Sequence, residues 1–323
     1  MNRILLSFAV LLGAAALPAG AMAATGVVKI TPLGGQDGEF CTLDRALMFE
    51  DPDGTRILYD AGRTVAGPDD PRLGKVDIIL VSHVHGDHIG DRRNSGVNAG
   101  TCAMPDASVD AAPASNTVEI AVKTGASIVT GSEMPGFFAG KLKAAGGDPK
   151  KSLMVRFGAM RTVGGVGITT VPAVHSNGLA PELVGGTLGD SLKAAGLTAY
   201  VGPPTGYVLR FSNGLVAYLS GDTGVTAEQE SVVRDYYKAN LVVINIGDTF
   251  TTGPTEAAHV VNKLIKPAAV IPSHANEEAT REGKVRAGTR TEAFTKAAAM
   301  PVHIPLSGKQ MSFDGGGKCV AGC

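Results

Sequence analysis

The chain contains no tryptophan, and only six tyrosines and ten phenylalanines among 323 residues. It therefore shows no aromatic platform of the kind that stacks sugar rings. Charge is sparse and balanced: 29 Lys+Arg stand against 30 Asp+Glu, for a net charge of -1, with no long run of either sign. A nucleic-acid partner held by phosphate neutralisation needs a clustered basic surface, so none is expected. Long apolar runs are missing outside the extreme N-terminus, which excludes an integral membrane protein. At 44% hydrophobic residues the chain is too apolar for a disordered polymer. It has no low-complexity linker, and its 43 glycines announce many tight turns.

The one apolar run reads as an address. Arg3 precedes the almost wholly apolar stretch Ile4 to Leu17, and Ala21-Met22-Ala23 has the small-x-small pattern that signal peptidase cuts. The run is shorter than the ~20 residues of a spanning helix, and no cysteine lies near the cut to take a lipid anchor. Residues 1–23 are expected to be a signal peptide, and 24–323 a single domain that is periplasmic or secreted. Export alters the meaning of Cys41, Cys102, Cys319 and Cys323, since an oxidising compartment favours disulfides. Three pairings are open. Cys319 and Cys323 enclose only Val-Ala-Gly and close a local clip easily, which leaves Cys41 with Cys102. The cysteine spacing matches no CxxC-type metal site.

Along the chain, short apolar runs alternate with turns and helical stretches. Strands are expected at 27–33, in a hairpin over 45–59 turning at Asp53-Gly54, and at 76–82, whose sequence VDIILVS suits a strand covered on both faces. The stretch 91–116 is rich in Gly, Ala, Pro, Asn and Ser and reads as a long loop. Further strands are expected at 127–130, 166–174, 207–220 with a turn at Asn213-Gly214, 241–246 and 268–271. Helices are expected over 254–265, with Pro254 in its first turn, and over 289–299, with two short strands within 302–313. Strands and helices mix without a regular βαβ rhythm, so two sheets packed face to face with helices outside fit best, an α+β arrangement.

Residues 83–88 hold three of the seven histidines, in the run His83-Val84-His85-Gly86-Asp87-His88. Clustered imidazoles with a carboxylate and no basic neighbour describe a metal site. They end a buried strand, where core packing would not select them. His175, Asp222 and His274 each end another apolar run, so four strands deliver a His or an Asp at their C-terminal ends. The set comprises seven N and O donors: His83, His85, Asp87, His88, His175, Asp222 and His274. His259, within the expected helix, and His303, in a late strand, have nothing converging on them and read as structural.

This pattern, His-x-His-x-Asp-His followed by His175, Asp222 and His274, resembles the metallo-β-lactamase superfamily. The resemblance implies a four-layer αββα sandwich over the whole mature chain. The stretches Val171 to Ser176, Ser220 to Gly224, Ile246 to Phe250 and Ile271 to His274 are similar to a branch of metal-dependent hydrolases that includes the L-ascorbate-6-phosphate lactonases. This chain departs from the cytoplasmic members in its N-terminal signal, its loop 91–117 and its four cysteines. By the resemblance, His83, His85 and His175 hold one divalent ion, Asp87, His88 and His274 a second, and Asp222 bridges both. Two such ions would share a hydroxide and polarise the bond under attack. Asp87 would also pass a proton to the leaving group; in a single-metal version it is freed to act as general base. The donors contain no thiolate and suit Zn, Mn or Fe.

The expected activity is hydrolysis of a small ester-like bond in a small-molecule substrate, a lactone before others. A β-lactam and a phosphodiester are rivals within the same site, although Asp222 stands where many dedicated β-lactamases carry Cys. A redox member using iron would differ in the metal alone, and a metal-binding or sensing protein without turnover is the alternative outside enzymes. The loop 91–117 and the stretch 177–205 are expected to wall the pocket. Tyr200, Tyr207 and Asn276 are near enough in sequence to the donors to be candidates for oxyanion contact.

Overall fold

The computed structural model describes residues 26–323; the expected signal peptide, 1–23, lies outside the described residues. Two main sheets carry the fold. The first has eight strands in the order Cys319–Ala321, Met311–Phe313, Val28–Pro32, Leu47–Glu50, Arg56–Tyr59, Ile78–Leu80, Ser127–Thr130 and Ser152–Met154. The second has six, in the order Ala269–Ser273, Leu241–Asn245, Val216–Leu219, Thr205–Arg210, Val166–Pro172 and Met160–Val163. Three short two-stranded ladders complete the strands found.

Alternation along the strands builds the layers. Ile57, Tyr59, Ile78 and Leu80 of the first sheet face Ile168, Tyr207, Leu209 and Val243 of the second, forming the inter-sheet core. The residues between them point outward: Leu58 and Ile79 pack against Val118, Ile120, Phe138 and Leu142 of the helices Asn116–Thr124 and Met134–Ala144. On the other side Tyr218, Val242 and Val270 meet Val260, Val261 and Phe294 of the helical segments 254–265 and Arg290–Ala297. Three apolar seams separate four layers, which is the expected αββα sandwich. Each large side chain fully buried in a seam contributes about 1.5–3 kcal/mol.

The expected strands form, with local corrections, and the unforeseen strands Ser152–Met154 and Met160–Val163 add an edge to each main sheet. Within 302–313 only Met311–Phe313 is a strand, because Val302 makes a single parallel bridge to Val270 before Pro305 interrupts. The strand Cys319–Ala321, unforeseen, pairs with Met311–Phe313 across a turn at Asp314. The loop 91–116 is pinned by the two-residue ladder Arg92–Arg93 with Val109–Asp110. Cys41 pairs with Cys102, and Cys319 with Cys323. No helix among the described residues is long and apolar enough to cross a membrane.

Candidate metal centre

Four strand ends meet at one edge of the sandwich. Ile78–Leu80 runs into Ser82 and His83, Val166–Pro172 into His175, Val216–Leu219 into Asp222, and Ala269–Ser273 into His274. After His85, the short helix Gly86–Ile89 turns the chain so that Asp87 and His88 reach the far side of the cluster, and Gly90 ends it in left-handed conformation. Gly221 is required beside Asp222: at φ +59° an added Cβ would lie 2.9 Å from the Ser82 Cβ and 3.0 Å from the Thr205 carbonyl. His274 and Asn276 are held at φ +52° and +56°, a conformation that costs non-glycine residues about 1 kcal/mol or more each.

All seven expected donors converge. One donor atom each from His83, His85 and His175 lies within 4.8 Å of the others, as do those of Asp87, His88 and His274. Asp222 stands between the groups: its Oδ2 is 3.7 Å from the Nε2 of His83 and of His175, 3.4 Å from that of His88 and 3.1 Å from that of His274. The His83 Nε2 approaches the His85 Nδ1 at 3.0 Å. Bare imidazole nitrogens and carboxylate oxygens aimed at one another make a donor set that a cation completes. The buried Nε2 of His88 has no hydrogen-bond partner among the described residues, while its Nδ1 is held by the Asp60 Oδ2 at 2.8 Å. The residues present therefore fit divalent ions.

Asp60 escaped the sequence reading, although it too follows a buried strand, Arg56–Tyr59. It is 1% exposed, and it accepts from the Ser82 hydroxyl at 2.7 Å and the Ser82 amide at 2.8 Å. Ser82 in turn contacts the His83 Nδ1 at 2.9 Å. One buried carboxylate thus orients two imidazoles. Replacing Asp60 with alanine is expected to weaken metal binding about 10–100-fold, read by competition with a chelator, with activity recovered in excess metal. Unchanged affinity would remove Asp60 from this role.

Arg45 also escaped. Its side chain is 3% exposed; Nε donates to the Asp87 Oδ2 at 3.1 Å and Nη2 to the Asn276 Oδ1 at 2.7 Å. Of the three candidates for oxyanion contact, only Asn276 lines the site, and its amide oxygen is occupied by Arg45. Tyr207 is core: fully buried, it donates to the Val81 carbonyl at 2.6 Å and the Val129 carbonyl at 3.2 Å. Tyr200 is 78% exposed and lines a separate hollow with Arg156 and Phe157.

The open cavity over the cluster measures about 300 Å³ and is walled by Leu43, Arg45, Arg63, Ser176, Phe250 and Asn276. Neither 91–117 nor 177–205 lines it, contrary to expectation. Loop 91–117 stands behind the wall instead, where Asp91 grips Arg63 through both oxygens at 2.7 and 2.9 Å, and Cys102 is bonded to Cys41.

Burial would raise the Asp222 and Asp87 carboxyls, but the adjoining imidazoles, His88 foremost, hold both well below the usual range. Burial would likewise lower His88, yet Asp222, Asp87 and Asp60 hold it well above an ordinary histidine. Without cations, His88 carries the charge that balances the carboxylates. His83, His85 and His175 are depressed, first by burial. Between pH 6.5 and 5 these three gain protons on unfolding, while His88, protonated throughout when folded but only partly so when unfolded near pH 6.5, and the buried Asp44, raised to about 6, oppose with at most one proton each. The unfolded state binds more protons, so stability falls as pH falls. Metal-stripped protein is expected to show a lower Tm at pH 5 than at pH 7 in calorimetry; a rise would contradict the assignment.

A β-lactamase superfamily domain matches residues 55–275 of the chain. The chain is 33% identical to a UPF0173 metal-dependent hydrolase of Cupriavidus necator, over 75% of this chain and 71% of that one. It is 29% identical to a similarly named protein of Koribacter versatilis, over 69% of this chain and 77% of that one. Among solved structures, a metallo hydrolase from Ignicoccus hospitalis aligns with TM-score 0.57 at 21% identity, over 89% of this chain and 99% of that one. A diiron β-hydroxylase from Streptomyces venezuelae, CmlA, aligns with TM-score 0.54 at 10% identity, over 90% of this chain and 54% of that one. These two share the fold.

Proposed function

Since the chain belongs to the β-lactamase superfamily and is a metal-dependent hydrolase, we propose that it is an exported enzyme that opens a small ester-like bond, a lactone before others. The observation that carries this reading is the cavity itself. It has the size of a small-molecule site, a floor formed by five of the N and O donors, His85, Asp87, His175, Asp222 and His274, with His83 and His88 buried in the same cluster, and a wall that is apolar at Leu43 and Phe250 but polar at Arg63 and Asn276. A compact cyclic ester, neutral or anionic, suits such a wall.

His83, His85 and His175 would hold one divalent cation, Asp87, His88 and His274 a second, with Asp222 shared; Zn suits the set, and Mn or Fe is served by the same donors. Such cations acidify water to near neutrality and polarise the oxygen of the bond under attack. The chain supplies the proton path. Asp87 Oδ2 is engaged by Arg45, and Oδ1 has no hydrogen-bond partner among the described residues. That free oxygen would take the proton released on attack and return it to the leaving oxygen, both within one carboxylate. Arg63, locked on Asp91, holds a guanidinium fixed at the rim, its charge balanced by the carboxylate behind it.

Export is supported by the pattern of residues 3–23 and by two paired cysteines sets, which persist in oxidising compartments. The chain from Ala24, loaded with Zn or with Mn, is to be tested on a lactone, a β-lactam and an activated phosphodiester. The expected result is lactone turnover that disappears in Asp222→Ala. Turnover confined to the β-lactam or the phosphodiester would overturn the lactone while leaving a hydrolase. Recovery of an uncut chain from bacterial cells, read by intact mass, would overturn export.

A further inference from the structure

Beside the strand that delivers His274, the open edges of the two sheets meet. Ala269–Ser273 is the outermost strand of the second sheet, and Val302 bridges to it, with the His303 amide donating to the Val270 carbonyl at 2.9 Å. Cys319–Ala321 is the outermost strand of the first sheet, and Cys319 packs against the inter-sheet core. The His303 ring stands edge-on to Phe313, centroids 5.5 Å apart. This places a ring nitrogen of His303 and the sulfurs of Cys319 and Cys323 within 4.8 Å of one another. The Ala321 carbonyl oxygen adds a fourth donor, 3.5 Å from the Cys319 Sγ and 3.2 Å from the Cys323 Sγ.

In the oxidised protein the two sulfurs are bonded to each other and only the imidazole is free. The C-x3-C spacing is one residue wider than the CxxC form that the sequence lacks, yet with a histidine brought in by the fold it is a zinc-type arrangement once the sulfurs are thiolates. Burial lowers His303, so its ring is neutral and able to donate at neutral pH. We propose that reduction of the Cys319–Cys323 bond opens a metal site of one nitrogen and two sulfurs, for Zn or a similar borderline cation, that clasps the edges of the two sheets together. The electrons come from a dithiol: it gives two electrons and two protons, becomes a disulfide, and leaves Cys319 and Cys323 as thiols. Cation binding then releases those two protons as both sulfurs become thiolates. The site is closed in an oxidising compartment and available in a reducing one, whatever the substrate of the catalytic cluster.

Co(II) is the probe, because the catalytic donors are all nitrogen and oxygen, so a thiolate-to-cobalt charge-transfer absorption reports cysteine ligation, and the variants separate this site from Cys41 and Cys102. Oxidised full-length protein is expected to bind Co(II) without that near-ultraviolet absorption. Protein reduced by dithiothreitol, then freed of it by gel filtration under nitrogen before Co(II) is added, is expected to gain it together with one further equivalent of Co(II). Cys319→Ser and Cys323→Ser should abolish the absorption with the hydrolytic rate unchanged, which also shows that they fold. His303→Ala should weaken the added site more than about tenfold, and Cys41→Ser/Cys102→Ser should keep it. Absence of the absorption in reduced wild-type protein, its survival unchanged in His303→Ala, or its loss in Cys41→Ser/Cys102→Ser would each overturn the proposal.

Discussion

Replacing Asp222 with asparagine is expected to lower kcat/KM about 10³-fold or more, equivalent to about 4 kcal/mol of transition-state stabilisation. The amide keeps the volume of the carboxylate, so the effect isolates charge. Asp222 is 3% exposed, and a single one of its oxygens lies within 3.1–3.7 Å of imidazole nitrogens from His83, His88, His175 and His274. Among the described residues no other carboxylate touches both halves of the donor set in this way. Without its negative charge, less offsets the mutual repulsion of two cations held by the two halves, and His88 loses the first of the carboxylates that raise it. Elemental analysis should therefore show less bound metal alongside the lost activity, while circular dichroism stays native because the three apolar seams do not include Asp222. Full metal content with wild-type turnover would refute the shared role of this carboxylate.

The donors were legible because each announces itself locally. An apolar run that stops at a histidine or an aspartate marks a strand end, and strand ends of one sheet edge lie together whatever their separation in sequence. The layers were legible for a similar reason: runs such as LVVI over 241–244 are apolar at every position, which only a strand covered on both faces tolerates. Asp60 obeys the same strand-end rule, yet Asp60-Ala61-Gly62 reads equally as a turn, and nothing local says that its carboxylate points at His88. Arg45 is beyond local reading, since the two side chains it joins, Asp87 and Asn276, are 42 and 231 residues away. The wall of the cavity was misplaced for a related reason. Composition identifies 91–117 as irregular, but which face a loop covers is decided by its long-range ties, here Asp91 to Arg63 and Cys102 to Cys41. His303 likewise has no sequence neighbour that hints at Cys319 and Cys323; two sheet edges bring them together.

Arg45→Met is expected to reduce kcat about 10²-fold with a smaller change in KM, and to lower the free energy of unfolding by about 3 kcal/mol. The guanidinium is almost wholly buried and spends its donors on four acceptors: Asp87, Asn276, and the carbonyls of Thr42 at 3.3 Å and Asp44 at 3.0 Å. Methionine fills the space but leaves Asp87 facing the cavity without its cation and leaves Asn276 untied. Asn276 and His274 both sit in left-handed backbone, so the tether from Arg45 holds a strained loop in place. Loss of that tether displaces His274 and Asp87 together, and small displacements of reacting groups fall on kcat before KM. Arg45→Lys separates position from charge. An ammonium keeps the charge but cannot reach Asp87 and Asn276 at once, so most of the kcat loss should remain even if stability largely returns. Steady-state kinetics and denaturant titration of the metal-loaded variants read both quantities. Wild-type kcat in Arg45→Lys would mean that charge alone suffices, and that the fork geometry at Asp87 and Asn276 contributes nothing to turnover.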